Sequence, residues 1–124
     1  MYEYKSEVTR VVDGDTVDAM IDLGFGIWII RRVRLYGINT SETKTKDKEE
    51  EKKGLIAKKR VIDVLKKSNN KILLTSVGLD KYGRCLGEIC LFDAKIESEK
   101  YSGNSVNKML LAEGYAKENY GRNS

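Results

Sequence analysis

Residues 16–23 alternate well: Val17, Ala19, Ile21 and Leu23 fall on one side, Thr16, Asp18 and Asp22 on the other. Successive side chains of a strand point to opposite faces, so this period of two with one apolar side predicts a half-buried strand. Residues 7–12 also read as extended, and the run Asp13-Gly14-Asp15-Thr16 turns the chain between them. Gly24-Phe25-Gly26 makes a second hairpin before residues 27–36. Three strands joined by tight turns form a meander and commit this end of the chain to sheet.

The composition changes at Asn39. Residues 39–53, NTSETKTKDKEEEKK, are almost all polar, and their first part predicts a mobile loop. A helix follows, with Glu49, Glu50 and Glu51 near its start, Leu55, Ile62 and Leu65 as its apolar stripe, and Lys66 and Lys67 in its last turn. Acid at the start and base at the end suit the helix dipole, and Asn69-Asn70 is a stop signal. Gly54 lies inside the helix or just before it. Residues 71–77 and 84–92 predict two more strands around the loop GLDKYG. After a polar connection over 93–103, Asn104 can cap a short helix carrying Val106, Met109 and Leu110 and ending at Gly114. The expected fold is mainly β within the α+β class. It is a five-stranded antiparallel oligonucleotide-binding barrel, with one helix between strands three and four and a short helix near the C-terminus.

A length of 124 residues, 40% of them hydrophobic, fits one domain over 1–124 with a single modest core. The chain has no histidine, which excludes Ser-His-Asp and Cys-His hydrolases, imidazole bases and histidine-built metal sites. Catalysis then falls to carboxylates, Arg, Lys, Tyr or a bound metal. A formal charge of +4 and a pI near 9.0 favour an anionic partner. Cys85 and Cys90 would face opposite sides of a strand and are expected to be reduced core thiols. The charged start and the lack of a long apolar run predict neither signal peptide nor membrane span. The expected location is therefore intracellular, with secretion open should a leader have been removed.

Three clusters carry candidate chemistry. Asp13 and Asp15 make either a plain Asp-Gly turn or a site for a hard cation, which prefers carboxylate oxygens. In RVRLYGINTSET, Arg32, Arg34 and Tyr36 share a strand face, and Gly37 releases Asn39, Thr40 and Glu42 into the charged loop. Arg34 is either a solvated barrel-face residue or, with Glu42 and the oxygen donors between them, part of a phosphoryl-transfer site. In GLDKYGRCLG, Lys81, Tyr82 and Arg84 form either an ordinary basic turn or a set of phosphate contacts with a stacking face.

Together, DGDT, the run RLYGINTSE and DKYGR, in this order with a helix between the second and third, resemble the staphylococcal (micrococcal) nuclease or thermonuclease-like family. The likeness covers roughly residues 8–120 and includes the closing GYAKENY. It implies a Ca²⁺-dependent phosphodiesterase that cuts DNA and RNA with little regard for sequence and leaves 3′-phosphate ends. The expected partners are DNA and RNA, single strands preferred, with no membrane partner, and a monomer is expected. Carried over residue by residue, Asp15, Asn39 and the carbonyl of Thr40 would hold the metal. Glu42 would orient or deprotonate the attacking water, and Arg34 and Arg84 would clamp the phosphate. Lys81 and Tyr82 would hold the terminal phosphate, and Tyr120 would lie over the nucleotide.

Two departures stand inside that pattern. Asn39 replaces a second metal-binding Asp, so the ligand set is less negative by one charge and weaker metal binding is expected. Ser41 replaces the usual Pro and removes a backbone restraint beside Glu42. The alternatives are a catalytically weak or inactive barrel that binds single-stranded nucleic acid, and a barrel that binds protein.

Overall fold

The computed structural model describes residues 2–92 and 105–119. In chain order they form β1 (Tyr2–Asp13), β2 (Thr16–Asp22), β3 (Trp28–Leu35), β4 (Gly37–Thr40), α1 (Lys48–Lys66), β5 (Lys71–Leu79), β6 (Cys85–Leu91), α2 (Val106–Ala112) and β7 (Ala116–Asn119). Five strands close a barrel in the order β1-β2-β3-β6-β5, with β5 pairing back onto β1. This is the mainly-β, oligonucleotide-binding type of barrel that the alternation and the intervening helix predict.

The expectation that all strand pairs are antiparallel needs correction, because β3 and β6 run parallel, with Val33 opposite Cys85 and Leu35 opposite Gly87. A closed ring with an odd number of strands cannot alternate up and down all the way round, so one seam must be parallel. Outside the barrel, β4 and β7 pair as a two-stranded antiparallel sheet in which Gly37 faces Asn119 and Thr40 faces Ala116.

Of the predicted inward face, Val17, Ala19 and Ile21 are buried in the core with Val33, Leu35, Ile72, Leu74 and Ile89, whereas Leu23 falls past the end of β2 in the hairpin and is exposed. α1 and α2 cover them with Val61, Val64, Leu65, Val106 and Leu110. Burying a side chain of this size is worth about 1.5–3 kcal/mol, so the cluster outweighs any single polar contact below.

Asp47 caps α1, its Oδ1 accepting from the N–H groups of Glu49 and Glu50 at 3.0 and 3.3 Å. Asn69 and Asn70 end the turn that follows in the left-handed region, at φ 56° and 64°. The buried face of α1 is Gly54, Ala57, Val61, Val64 and Leu65, whereas the expected stripe member Leu55 is 52% exposed. Small residues win here because the chain comes too close for large ones. A Cβ on Gly14, in the β1–β2 turn, would lie 2.9 Å from that of Ala57.

Ser105 caps α2, its Oγ accepting from the N–H of Lys108 at 3.0 Å; the expected cap Asn104 and the connection over 93–103 lie outside the described residues. Buried Asn107 pins this helix to the barrel. Its Oδ1 accepts from Ile89 N at 3.2 Å, and its Nδ2 donates to Tyr36 O and Gly87 O at 2.9 and 3.2 Å. Both cysteines are free, and burial pushes both thiols up from their ordinary range. Among the described residues no helix is long and apolar enough to cross a membrane.

Candidate active site

Arg34 sits near the end of β3, next to the parallel seam, with its side chain 9% exposed. A guanidinium that far from water must satisfy its donors inside the protein. Nη1 donates to Leu35 O at 3.1 Å, Nη2 donates to Asn39 Oδ1 at 3.2 Å, and Nη2 lies 3.4 Å from Asp15 Oδ2. The reading of Arg34 as a solvated barrel-face residue is therefore overturned.

Asp15 organises the opposite side. Its Oδ1 accepts from Thr16 Oγ1 at 2.9 Å, and its Oδ2 accepts from Thr40 N at 3.0 Å, which fixes β4 against the β1–β2 turn. Asp15, Arg34, Asn39 and Thr40 are thus in direct contact. Thr40 Oγ1 is buried and is the one such side-chain atom without a hydrogen-bond partner among the described residues.

Asp13 points to a different part of the loop, its Oδ1 accepting from Thr43 Oγ1 at 2.5 Å and from Thr43 N at 3.3 Å. Between the Asp15 and Asp13 anchors lie Ser41 and Glu42. The backbone there rests on α1 at Gly54, where a Cβ would stand 2.4 Å from Glu42 O and 2.9 Å from Ser41 O. Gly54 is thus the seat of the loop, a role its sequence position did not disclose. The Glu42 residue is exposed, and among the described residues its carboxylate takes no hydrogen-bond or ionic partner.

Arg84 immediately precedes Cys85, the residue that pairs with Val33 across the seam. That register puts Arg84 and Arg34 on the same outer face of adjacent strands, two residues out of level, with Cα atoms roughly 8 Å apart from strand geometry. Asp80, which the motif reading passed over as a ligand of anything, holds this arginine. Its Oδ2 accepts from Arg84 Nε at 2.6 Å, and its Oδ1 accepts from Arg84 N and Tyr82 N at 2.8 and 2.9 Å. Burial pushes the Asp80 carboxyl up, but hydrogen bonds from Arg84 and Tyr82 outweigh it and leave the group below the usual carboxylate range. The signal in the sequence was the four-residue spacing of Asp80 and Arg84 around Gly83, which has φ 80°. Lys81 Nζ and Arg84 Cζ lie 5.3 and 5.5 Å from the centre of the Tyr82 ring, so these three residues share one exposed turn. Tyr120 lies outside the described residues.

A cavity of ≈ 490 Å³ opens beside β4, between α1 and β7, and brings Lys53, Tyr115 and Lys117 near Asn39, Thr40 and Ser41. Lys53 lies in no motif, and Tyr115 and Lys117 belong to the closing GYAKENY, in which only Tyr120 carries an expected role. As a donor set, Asp15, Asn39 and Thr40 offer only oxygen, which fits a hard cation, and the orphaned Thr40 hydroxyl adds a further oxygen. With a single carboxylate the fit is a low-charge one, and among the described residues no three acidic or thiol groups converge as a metal cluster.

A closed barrel with two arginines on one face of its parallel seam and an all-oxygen corner beside it defines a barrel of the oligonucleotide-binding type suited to an anionic substrate. The profile described as staphylococcal nuclease homologue matches residues 32–124, most of the chain, and the protein belongs to that family. No individual curated protein matches it. Family membership suggests a nuclease acting on nucleic acid.

Proposed function

We propose that the protein is a Ca²⁺-dependent phosphodiesterase that hydrolyses DNA and RNA with little sequence specificity, leaves 3′-phosphate ends, prefers single strands and acts as a single-domain monomer. The observation that carries the reading is Arg34: a buried guanidinium already fixed to Asn39 and Leu35, level with the seam that also carries Arg84. Donors set in advance cost no reorganisation when charge develops on a phosphate, which is where electrostatic catalysis gains most.

In this reading Arg34 and Arg84 grip the scissile phosphate and meet its added negative charge, and Asp80 keeps Arg84 aimed. Asp15, Asn39 and the Thr40 carbonyl would hold Ca²⁺, which when bound supplies a Lewis acid at the phosphate and lowers the pKa of a bound water. Glu42, on a loop tethered by Asp13 and seated on Gly54, orients the attacking water and takes its proton. Lys81 and Tyr82 receive the terminal phosphate, and Tyr120 covers the nucleotide.

A second reading, a catalytically weak or inactive barrel that binds single strands, is favoured by one specific observation. Asn39 stands where an acid would raise metal affinity, and its oxygen is turned to Arg34. End-group analysis separates the two. A labelled single-stranded oligonucleotide incubated with Ca²⁺ should yield fragments whose 3′ ends are released by phosphatase. Intact oligonucleotide retained on the protein would instead establish the binding barrel.

A further inference from the structure

The β2–β3 hairpin points away from the candidate active site and carries side chains the nuclease reading does not use. Leu23, Phe25, Ile27, Trp28 and Ile30 are all exposed, Phe25 completely and Ile30 at 70%. The hairpin holds them there by construction. Leu23 N donates to Ile27 O at 2.9 Å, Ile27 N donates to Gly24 O at 3.0 Å, and Asp22 Oδ1 accepts from Gly24 N at 2.8 Å. Phe25 sits between two glycines in the left-handed region at φ 58°, a conformation that a bulky L residue rarely adopts. A strained backbone position spent on holding a phenyl ring in water points to something that ring meets.

Trp28 also lines a second cavity of ≈ 500 Å³, shared with Lys5, Lys66, Lys67 and Lys71. Two carboxylates line it as well. Glu7 is paired with Lys71, and Asp22 ties the hairpin turn. Lys5 lies with its Nζ 5.5 Å from the centre of the Phe92 ring. An apolar tip therefore rises from a base where cations outnumber anions.

We infer that this pole of the barrel docks on an anionic lipid surface. Phe25, Ile27 and Leu23 enter the boundary between headgroups and acyl chains, Trp28 lies at headgroup level, and Lys66 and Lys67 meet the phosphates. Charge complementarity and the aliphatic tip together select this occupant. Leu23, Ile27 and Ile30 have neither a π-face for a base nor a donor for a phosphate, so a nucleic acid would leave them in water. A second copy meeting the same patch across a two-fold axis would set the lysine cluster against itself. The expectation of no membrane partner rests on the lack of a long apolar span, which docking does not require, and docking on lipid departs from that expectation.

Trp28 is the only tryptophan, so its fluorescence reports this site alone. Binding is measured with vesicles of phosphatidylcholine, and of equimolar phosphatidylcholine and phosphatidylglycerol. The expected result is a blue shift with the anionic vesicles only, quenched by lipids brominated along the acyl chain and reversed by salt. Phe25→Ser with Ile27→Ser, and separately Lys66→Gln with Lys67→Gln, should each weaken partitioning about tenfold or more. Circular dichroism and the thermal midpoint should stay unchanged, since these side chains are at the surface. No shift with anionic vesicles at low salt would overturn the inference, as would equal binding by the Phe25 and Ile27 double variant. A shift produced by oligothymidine in chelator and not by vesicles would assign the pole to nucleic acid instead. Concentration-dependent self-association lost in Phe25→Ser, with no vesicle binding, would assign it to a second copy.

Discussion

Asp80 holds Arg84 at both ends of the residue, accepting from its backbone N–H at 2.8 Å and from its Nε at 2.6 Å. The same carboxylate therefore shapes the β5–β6 turn and aims the guanidinium, with its own side chain 2% exposed and that of Arg84 28%. Turn and phosphate clamp are one structural unit.

Replacing Asp80 with Asn removes the charge and keeps the volume. Because the folded carboxyl lies below its unfolded value of about 3.9, its stabilising contribution is fully present above that pH and is lost as pH falls through the folded pKa. Asp80→Asn should cost about 1–3 kcal/mol near neutrality. Urea midpoints of the two proteins should converge as pH approaches the acid limit. A gap that persists in acid would show that packing, not the ionised carboxylate, is what the substitution disturbs. In kinetics, kcat should fall more than KM rises.

Gly54→Ala places a methyl where Glu42 O would be 2.4 Å away, and that neighbour is backbone. The loop carrying Ser41 and Glu42 must move off α1. Helix propensity favours Ala over Gly by about 0.8–1 kcal/mol, so a neutral site would be stabilised. The expected outcome here is the reverse, a net loss of about 1–3 kcal/mol from overpacking together with a fall in kcat. A higher thermal midpoint with full activity would show that the loop does not depend on this seat.

How much of this was legible in the sequence depended on where the signal was local. The alternation of Val17, Ala19 and Ile21 announced β2, and the acid-to-base gradient of α1 announced its helix. β4 and β7 were not legible. Each has four residues, and in the Ala-Lys-Glu-Asn of β7 only Ala116 is apolar, too little to mark the face that packs on β4 and α2. The first half of β1 is mostly exposed, and the short aromatic-charged alternation of Tyr2 to Lys5 was too weak to extend the expected strand over residues 7–12 until β5 paired with it. Motif order placed Asp15, Arg34, Asn39 and Thr40 near one another in expectation, but burial of Arg34 and the turn of Asn39 toward it are three-dimensional facts. Leu55 misled because apolar residues mark a buried helix face only where there is room for them; at Gly54 and Ala57 the neighbouring backbone and the Gly14 turn leave none.

Asp13 ties the loop through Thr43 and touches none of Asp15, Arg34 or Asn39 by hydrogen bond. Asp13→Ala should therefore lower kcat, by up to about a hundredfold for a misplacement of the loop near 1 Å, and leave the half-saturating Ca²⁺ concentration unchanged. If the substitution raised the Ca²⁺ requirement instead, Asp13 would have to be counted among the metal ligands.

Asn39→Asp restores a negative charge beside Arg34 and Asp15. Half-saturation by Ca²⁺ should fall, because ligand charge sets affinity for a hard cation. The comparison is a Ca²⁺ titration of cleavage rate in the native protein and the variant, supported by isothermal calorimetry with Ca²⁺ alone. Equal half-saturation in both would remove Asn39 from the site.

The central claim is that Glu42 and a bound Ca²⁺ make this barrel cut nucleic acid. The most direct measurement is the time course of an end-labelled single-stranded DNA with the native protein and Glu42→Gln, each in Ca²⁺ and in chelator. Shortening in Ca²⁺, its disappearance in chelator, and a loss in Glu42→Gln of about a hundredfold or more, with unchanged retention of the DNA, are the predicted results. DNA retained equally by both proteins and shortened by neither, or cleavage that survives Glu42→Gln undiminished, would contradict it.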